Sequence, residues 1–300
     1  MKVVVTGGPG QLVLSLAERG ALAGHQVVAV GPPQLDLAGD NDAGILAALR
    51  AAQPQVIVNA AAFTAVDKAE SESELAVAIN ARGAGAVART AAELGVPLIH
   101  ISTDYVFSGG KPAPYVESDS PAPTGVYGAS KLAGEEAVLA ACANAAILRT
   151  AWLYSPFGQN FVRTMLGLAA SRDEISVVCD QIGSPTSALD LADAVLAVAA
   201  NLIASPDPAL RGVFHAAGEG AASWAQFAEV IFTASAARGG PSARVIPITT
   251  AEYPTTAKRP ANSQLDCGKL ARTHGLRLPD WQSSVDAVVS RLVMQGVGAR

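Results

Sequence analysis

The sequence is poor in charged and aromatic residues and has no long uninterrupted hydrophobic run. Only 16% of its 300 residues are charged and 5% are aromatic, whereas 50% are hydrophobic. A hydrophobic fraction this high excludes a disordered chain and predicts a large core, in one large or two modest domains. No uncharged stretch reaches the ~18–20 residues of a membrane-spanning helix. Because the chain begins directly in a predicted strand, without an export signal, we expect a cytoplasmic protein with no membrane partner.

The sequence also lacks an excess of basic residues and any paired cysteine motif. A net charge of −5 argues against a general nucleic-acid-binding surface, which needs a basic face. Three cysteines, Cys142, Cys179 and Cys267, lie far apart without CxxC spacing, so we expect buried free thiols. The four histidines show no metal-ligand spacing either, and no metal site is predicted.

Short β-branched runs alternate with alanine-rich stretches through the first half of the chain. Several of these runs are hydrophobic at every position, which is typical of a parallel sheet covered by helices on both faces. The alternation predicts an α/β fold with a doubly wound, Rossmann-like parallel sheet. The predicted strands are 2–5, 26–30, 55–60, 97–102 and 145–150, and the predicted helices lie near 11–23, 41–52, 73–94 and 127–142.

The second half is less regular and richer in Pro, Gly and Ser clusters. We predict a dinucleotide-binding domain over 1–151 and a smaller, mixed, mainly substrate-binding part over 152–300. A strand near 213–218 is expected to rejoin the first sheet. Ligands of such sheets bind at the carboxyl ends of the strands. Polar clusters follow three predicted strands there, at Thr6-Gly7, Asn59 and Ser102–Asp104.

The segment TGGPGQL, residues 6–12, follows the first predicted strand. Gly7 and Gly10 would let a pyrophosphate approach backbone N–H groups at a helix N-terminus. The third glycine of the pattern would fall at residue 13, which is Val13. Alone, this segment is compatible with a nucleotide-binding loop or with an ordinary strand-to-helix turn. For a nucleotide-binding loop, Val13 predicts that the first helix stands further from the first strand or faces a smaller neighbour.

The most informative segment is VYGASKLAGEEAV, residues 126–138. Tyr127 and Lys131 are four residues apart and so share one face of a helix. A lysine ammonium near a phenol lowers the pKa of the phenol, which then exchanges a proton with a carbonyl oxygen more readily. Such a pair is common by itself. Upstream, HISTDYVF places Ser102 and Thr103 at the end of a buried strand, which adds a hydroxyl donor for an oxyanion.

Together these motifs resemble the extended short-chain dehydrogenase/reductases and, within them, the dTDP-4-dehydrorhamnose reductase family. The likeness runs nearly end to end, through TGGPGQL, VIVNAAAFTAVDKAESE, AIN, HISTDYVFSG, VYGASKLAGEEAV, LRTAWLY, NFVRTML, DQIGSPTSALDLA and RPANSQLD. The resemblance implies NAD(P)H-dependent reduction of the 4-keto group of dTDP-4-dehydro-β-L-rhamnose, a nucleotide sugar, with NADPH or NADH as cofactor. It is also compatible with a homodimer. Some members of the family dimerise through magnesium, but this sequence identifies no ligands for that ion.

The resemblance implies a role for individual residues. Tyr127 would donate the proton. Lys131 would activate Tyr127 and bind a ribose hydroxyl, and Thr103 would form a hydrogen bond with the sugar carbonyl oxygen. Further cofactor contacts are implied for Gly7, Gly10, Gln11, Leu12, Asp36, Ala61, Ala62 and Phe63. Substrate contacts are implied for Thr64, Thr103, Asp104, Tyr105, Trp152 and Arg259, with Val66, Asn262 and Ser263 as further candidates.

The sequence departs from the family pattern at the end of the second strand. Neither Val30 nor Gly31 is acidic, as an NAD-preferring site would require, and no arginine follows for a 2′-phosphate. The choice between NADH and NADPH therefore stays open. In Thr-Ala-Trp, Ala151 stands where the family often has serine.

Two other functions remain open at this point. One is an epimerase or 4,6-dehydratase of the same fold. A dehydratase would carry a second acidic residue after Thr103-Asp104, and the presence of Tyr105 at that position argues against this activity. The other is a non-catalytic regulatory subunit, similar to the methionine adenosyltransferase β subunit. The intact set of Thr103, Tyr127 and Lys131 favours an enzyme.

Overall fold

The computed structural model describes residues 1–39 and 42–296. Within these ranges the strands are β1 Lys2–Thr6, β2 Gln26–Val30, β3 Val56–Asn59, β4 Leu98–Thr103, β5 Ala145–Thr150, β6 Leu153–Tyr154, β7 Glu174–Val178, β8 Ile182–Gly183, β9 Thr186–Ser187, β10 Gly212–His215, β11 Ala222–Ser223 and β12 Arg244–Ile248. The helices are α1 Gln11–Leu22, α2 Asp42–Ala51, α3 Val66–Ala69, α4 Ser73–Val77, α5 Ala84–Leu94, α6 Val126–Ala141, α7 Phe161–Ala169, α8 Ala188–Ala204, α9 Trp224–Ala236, α10 Gly268–His274 and α11 Trp281–Met294. A π-helical segment, Ala78–Gly83, joins α4 to α5.

In the described part of the chain, the main sheet has six parallel strands in the order β2-β1-β3-β4-β5-β10. This confirms the predicted doubly wound α/β fold. The strand expected near 213–218 is β10, which pairs with β5 and so rejoins the sheet. The helix predicted near 41–52 is α2; residue 41, and residues 297–300 of the predicted second part, lie outside the described residues. The boundary at residue 151 stays a prediction.

The two faces of the sheet bury alternate side chains of β1, as the two-residue period of a strand requires. Val3 and Val5 of β1 lie in a core with α1 and α8, whereas Val4 lies in the core on the opposite face with α2 and α5. All three valines are fully buried, which explains why β1 is hydrophobic at every position. Helix α8 belongs to the second half of the chain, so that half also supplies a layer of the sheet domain.

A separate core forms from α7, α9 and α11 with the parallel pair β7 and β12. Phe227 and Ile231 of α9 are fully buried in it. Ser223 caps the N-terminus of α9, and its side chain and that of Gln226 form a reciprocal capping box, an arrangement that satisfies two otherwise unpaired N–H groups. Trp152, which follows β5, packs against this core.

The π-helical segment fixes α6 against the loop after β3. A Cβ at Gly134 of α6 would lie 2.0 Å from the carbonyl oxygen of Asn80, so only glycine allows this close approach. The Asn80 side chain accepts from the N–H of Phe63 at 2.8 Å and donates to the Phe63 carbonyl at 3.1 Å and to Ser130 Oγ at 3.0 Å. One asparagine therefore holds the 60–64 loop and α6 together.

The expectation that all three cysteines are buried is wrong for Cys179. Cys142 is buried and Cys267 is partly buried, but Cys179 is exposed because it follows the last residue of β7, where the chain leaves the core. Among residues 1–39 and 42–296, no group of three or more His, Cys, Asp or Glu residues could hold a metal ion. No helix described here is long and apolar enough to cross a membrane.

Candidate active site

A cavity of about 790 Å³ opens at the carboxyl ends of β1, β3, β4 and β5. The chain reverses its direction of winding between β1 and β3, which is where ligands bind in open α/β sheets. Its wall is formed by Gly7, Gly8, Pro9, Gly10, Gln11, Leu12, Val13, Ala60, Ala61, Ala62, Thr64, Val66, Ile101, Ser102, Thr103, Asp104, Tyr105, Tyr127, Lys131, Thr150, Ala151, Trp152, Leu153, Gly158, Gln159 and Asn160. The three residues implied in catalysis thus share one cavity with the glycine turn.

The glycine turn presents bare backbone to this cavity. Gly7 has φ +125, a conformation that side chains rarely adopt, and a Cβ at Gly8 would meet no atom within 4 Å. Helix α1 begins after Gly10 with no side-chain cap and no acidic residue in its first turn. Its first N–H groups therefore lack intrahelical partners, which suits a pyrophosphate. These residues fit the phosphates of a dinucleotide.

Val13 faces the smallest possible neighbour. It is 6% exposed, and its Cγ2 lies 3.6 Å from the position a Cβ would take at Gly7. The valine therefore fills space beside a glycine backbone, in agreement with the expectation that Val13 faces a smaller neighbour. The turn keeps its form without a third glycine.

The same turn explains why no acidic residue follows β2. A Cβ at Gly31 would lie 2.7 Å from both the carbonyl carbon and the carbonyl oxygen of Gly7. The Gly7 N–H also donates to the Val30 carbonyl at 2.9 Å, which holds the two segments together. Any side chain at Gly31, acidic or not, would push the glycine turn away from the end of β2.

Buried polar side chains connect the ends of β1, β3 and β4. Thr6 Oγ1 donates to Asn59 Oδ1 at 2.6 Å, and Asn59 Nδ2 lies 3.0 Å from His100 Nδ1. All three residues are at most 1% exposed. Burial, reinforced by the charge of Lys131, holds the pKa of His100 well below its usual value, so this histidine is neutral. The three side chains form a buried hydrogen-bonded network that links the ends of these strands.

Helix α6 carries Tyr127 and Lys131 on one face, as predicted. Lys131 is 2% exposed, and its Nζ donates to the Ile101 carbonyl at 2.7 Å. Burial lowers the pKa of Lys131 to about 8, against the opposing effect of the Glu135 charge.

The pKa of Tyr127 shifts against the direction that the sequence predicted. Burial raises the pKa of this phenol above its usual value, and a hydrogen bond with Thr103 opposes that rise. The spacing of Tyr127 and Lys131 shows that they share a helix face, but it does not reveal how strongly the phenol is desolvated. A raised pKa keeps Tyr127 protonated at neutral pH, as a proton donor must be.

Thr103 and Asp104 form a second polar group beside Tyr127. Thr103 Oγ1 donates to Asp104 Oδ1 at 2.9 Å and accepts from the Tyr105 N–H at 3.2 Å. Asp104 is 2% exposed, and burial raises its pKa to about 6. The Tyr105 ring packs edge-on to Tyr127 with centroids 5.5 Å apart, and burial raises the pKa of Tyr105 to about 12. Both tyrosines are neutral at physiological pH.

Trp152 also lines the cavity. It adopts φ +46, an unusual value for a bulky residue, and stacks on Trp224 with ring centroids 3.6 Å apart. A Cβ at Gly183 would lie 2.3 Å from the Trp152 ring. The indole is therefore held between an aromatic ring and a bare backbone.

Gln11 connects the glycine turn to a loop that the sequence analysis did not assign to the site. Ser155 Oγ donates to Gln11 Oε1 at 3.0 Å, and Gln11 Nε2 donates to the Leu153 carbonyl at 3.4 Å. Asn160 Nδ2 in turn donates to the Ser155 carbonyl at 2.9 Å. Asn160 lies in the segment NFVRTML, which carries part of the family resemblance, so that segment was the available signal. Thr150 was also missed, although it ends β5 at the same edge of the sheet.

Three of the predicted site residues do not line the cavity. Asp36 is exposed in the loop after β2, where it accepts from the Ala38 N–H at 2.9 Å. Phe63 meets Asn80 through its backbone. Arg259 forms an ion pair with Asp67 at 2.5 Å, close to Tyr105.

Of the three further candidates, Val66 lines the cavity, whereas Asn262 and Ser263 do not. The side chain of Asn262 donates to the Lys111 carbonyl at 2.6 Å. Ser263 lies beside the carboxyl of Asp104, where its hydrogen bond opposes the rise in the pKa of that group. The ligand contacts of these residues stay predictions.

Comparisons with known proteins identify the family. The protein-family model described as "RmlD substrate binding domain" matches residues 1–294. The chain is 49% identical over 299 residues, the full length of both chains, to a dTDP-4-dehydrorhamnose reductase of Sinorhizobium fredii. A dTDP-4-dehydrorhamnose reductase structure from Clostridium acetobutylicum matches with TM-score 0.90 and 37% identity, covering 98% of this chain and 100% of that one.

A dTDP-4-dehydrorhamnose reductase structure from Bacillus anthracis in complex with NADP matches with TM-score 0.89 and 36% identity. The match covers 97% of this chain and 99% of that one. The chain belongs to the dTDP-4-dehydrorhamnose reductase family.

Proposed function

We propose that the protein reduces the 4-keto group of dTDP-4-dehydro-β-L-rhamnose to give dTDP-β-L-rhamnose, with NADPH or NADH as reductant. The observation that carries this proposal is the convergence of Thr103, Tyr127 and Lys131 on the cavity that the glycine turn also lines. The family supports the substrate, and the NADP in the Bacillus anthracis relative supports the class of cofactor.

When bound, the reduced nicotinamide supplies the hydride. Tyr127 donates the proton to the substrate carbonyl oxygen, and its raised pKa keeps that proton in place until the oxygen becomes basic. Thr103, which hydrogen-bonds with Tyr127, stabilises the same oxygen through its hydroxyl. Lys131 is the cation on the next turn of α6, and it stabilises the phenolate that remains.

The cofactor would be held by the turn Gly7–Leu12 and the N-terminus of α1 at its phosphates, and by Ala61 and Ala62 nearer the ribose. Ala61 lies against Gly7, since a Cβ at Gly7 would be 3.4 Å from the Ala61 backbone. Small side chains at this place leave a flat surface for a planar ring. Asp36 and Phe63 complete the proposed set from the loops behind this surface.

The sugar nucleotide would lie between the end of β4 and Trp152. Asp104 and Tyr105 would face the sugar, with Thr64 and Val66 as further residues of the same cavity wall. Arg259 would contact the nucleotide from beside Tyr105, with its guanidinium oriented by Asp67.

The reaction is tested by mixing the purified protein with dTDP-4-dehydro-L-rhamnose and either NADPH or NADH and following the nicotinamide absorbance. We expect oxidation that falls by at least about 10²-fold in Tyr127→Phe, because the proton donor is lost. Tyr253→Phe is the matched control, since Tyr253 is 60% exposed, and it should retain full activity. Absence of oxidation with both cofactors would contradict the proposal and favour a regulatory subunit, whereas an active Tyr127→Phe would exclude this residue as the donor.

A further inference from the structure

A buried ion pair lies one helical turn beyond Lys131. Arg149 Nη2 and Glu135 Oε2 are 2.6 Å apart, and their side chains are 4% and 3% exposed. Arg149 Nε also donates to Glu135 Oε1 at 2.9 Å, and Ser102 Oγ donates to the same oxygen at 2.5 Å. The carboxylate is therefore held on both oxygens by groups from two neighbouring strands.

These contacts join α6 to the segment of β4 that carries Thr103. Lys131 binds the carbonyl of Ile101, Glu135 binds the side chain of Ser102, and Thr103 is the next residue. Ser102 also lies opposite Arg149 in the pairing of β4 with β5. Two successive turns of α6 thus hold two successive residues of β4, immediately before the hydroxyl that faces Tyr127.

The titratable groups around Glu135 come from four elements. Arg149 lies on β5 and Lys131 on α6, and both are cations. The histidines nearby are neutral: His100 on β4, and His215 on β10, whose pKa burial lowers to about 4 with help from Arg149. Glu135 is therefore the anion that faces two buried cations, and its charge opposes the loss of the Lys131 proton.

We propose that Glu135 is a positioning residue of the reductase, which ties α6 to the end of β4, holds Lys131 and Thr103 in register and places a carboxylate one helical turn from Lys131. The inference rests on the role proposed above for Lys131. Arg149 acts differently, because it pairs with Glu135 from β5 and so allows the carboxylate to be buried.

The test removes the ion pair as a unit, because deleting one partner leaves a buried charge uncompensated. In the double variant Glu135→Gln/Arg149→Met, Lys131 should lose its proton at lower pH, because the nearby anion is gone. We expect the basic limb of the kcat/KM profile to move down by about one pH unit. Glu136→Gln is the matched control, since Glu136 is exposed on the same helix, and it should leave the profile unchanged.

A second readout does not depend on turnover. The Cε resonance of Lys131 in ¹³C-lysine-labelled protein, identified with Lys131→Met, should titrate at lower pH in the double variant than in the wild type. An unshifted titration in a folded double variant would overturn the proposal. If instead wild-type protein oxidises neither cofactor while this resonance shifts, the proposed reaction fails and the electrostatic inference stands.

Ser102→Ala covers the case in which the double variant does not fold. It keeps both charges and removes only the hydrogen bond between Ser102 and Glu135. We expect kcat to fall about tenfold with the Lys131 titration unchanged, because the carboxylate then no longer fixes the end of β4. A Ser102→Ala variant with wild-type kcat would show that this anchor does not position Thr103.

Discussion

Gly31 offers the sharpest test of how the glycine turn is built. In Gly31→Ala the new Cβ would lie 2.7 Å from two backbone atoms of Gly7. A backbone cannot rotate away as a side chain can, so the end of β2 and the turn must separate by roughly 0.7 Å to reach ordinary contact. Overpacking of this kind costs about 1–3 kcal/mol. We therefore expect the midpoint of thermal unfolding to fall by at least about 2 °C.

Because the displaced atoms belong to the proposed phosphate-binding turn, NADPH should also bind at least about fivefold more weakly. Fluorescence titration with NADPH and a thermal melt measure the two effects. Gly167→Ala is the matched control: this exposed glycine of α7 has no atom within 4 Å of its Cβ position, and the change should stabilise the helix by up to about 1 kcal/mol. An unchanged melting temperature and NADPH affinity in Gly31→Ala would refute the steric argument.

Two further predictions concern the substrate side. Burial raises the pKa of the Asp104 carboxyl to about 6 from its usual 3.8, so the folded state binds this proton more tightly than the unfolded state does. The free energy of unfolding therefore falls as pH rises from 3.8 to 6, by up to about 3 kcal/mol. Asp104→Asn should raise the melting temperature at pH 7.5 but not at pH 3.5, and equal effects at both pH values would contradict the raised pKa. In Gly183→Ala the new Cβ would lie 2.3 Å from the Trp152 ring, so the ring must move. We expect the KM for the sugar nucleotide to rise several-fold while NADPH affinity stays within a factor of two. An unchanged KM would show that Trp152 does not shape the sugar-nucleotide site.

The first half of the fold could be predicted closely because its strands are buried on both faces. A strand such as Val3–Val5 is hydrophobic at every position, and this pattern leaves little choice of structure. The second half resists such prediction because β6, β8, β9 and β11 have two residues each. Strands this short have no pattern of their own and depend on tertiary contacts. Strand β12 also contains Pro247, a residue that local preference places outside strands.

The site shows a similar division. The four-residue spacing of Tyr127 and Lys131 and the polar end of β4 were enough to bring Thr103 into the same cavity. Spacing could not reveal desolvation, and so the expected direction of the pKa shift of Tyr127 was wrong. Nor could the sequence reveal that Asp67, almost two hundred residues away, would bind the guanidinium of Arg259.

The hydrogen bonds of Gln11 to Ser155 and Leu153 have a thermodynamic consequence for ligand binding. They join a loop from each half of the chain through the protein's own side chains, so part of the conformational entropy of ordering both loops is lost during folding. A ligand that bridges the two halves then loses less entropy on binding and gains affinity without any additional contact. The Gln11 side chain thus lowers the entropic cost of ligand binding and raises the entropic cost of folding.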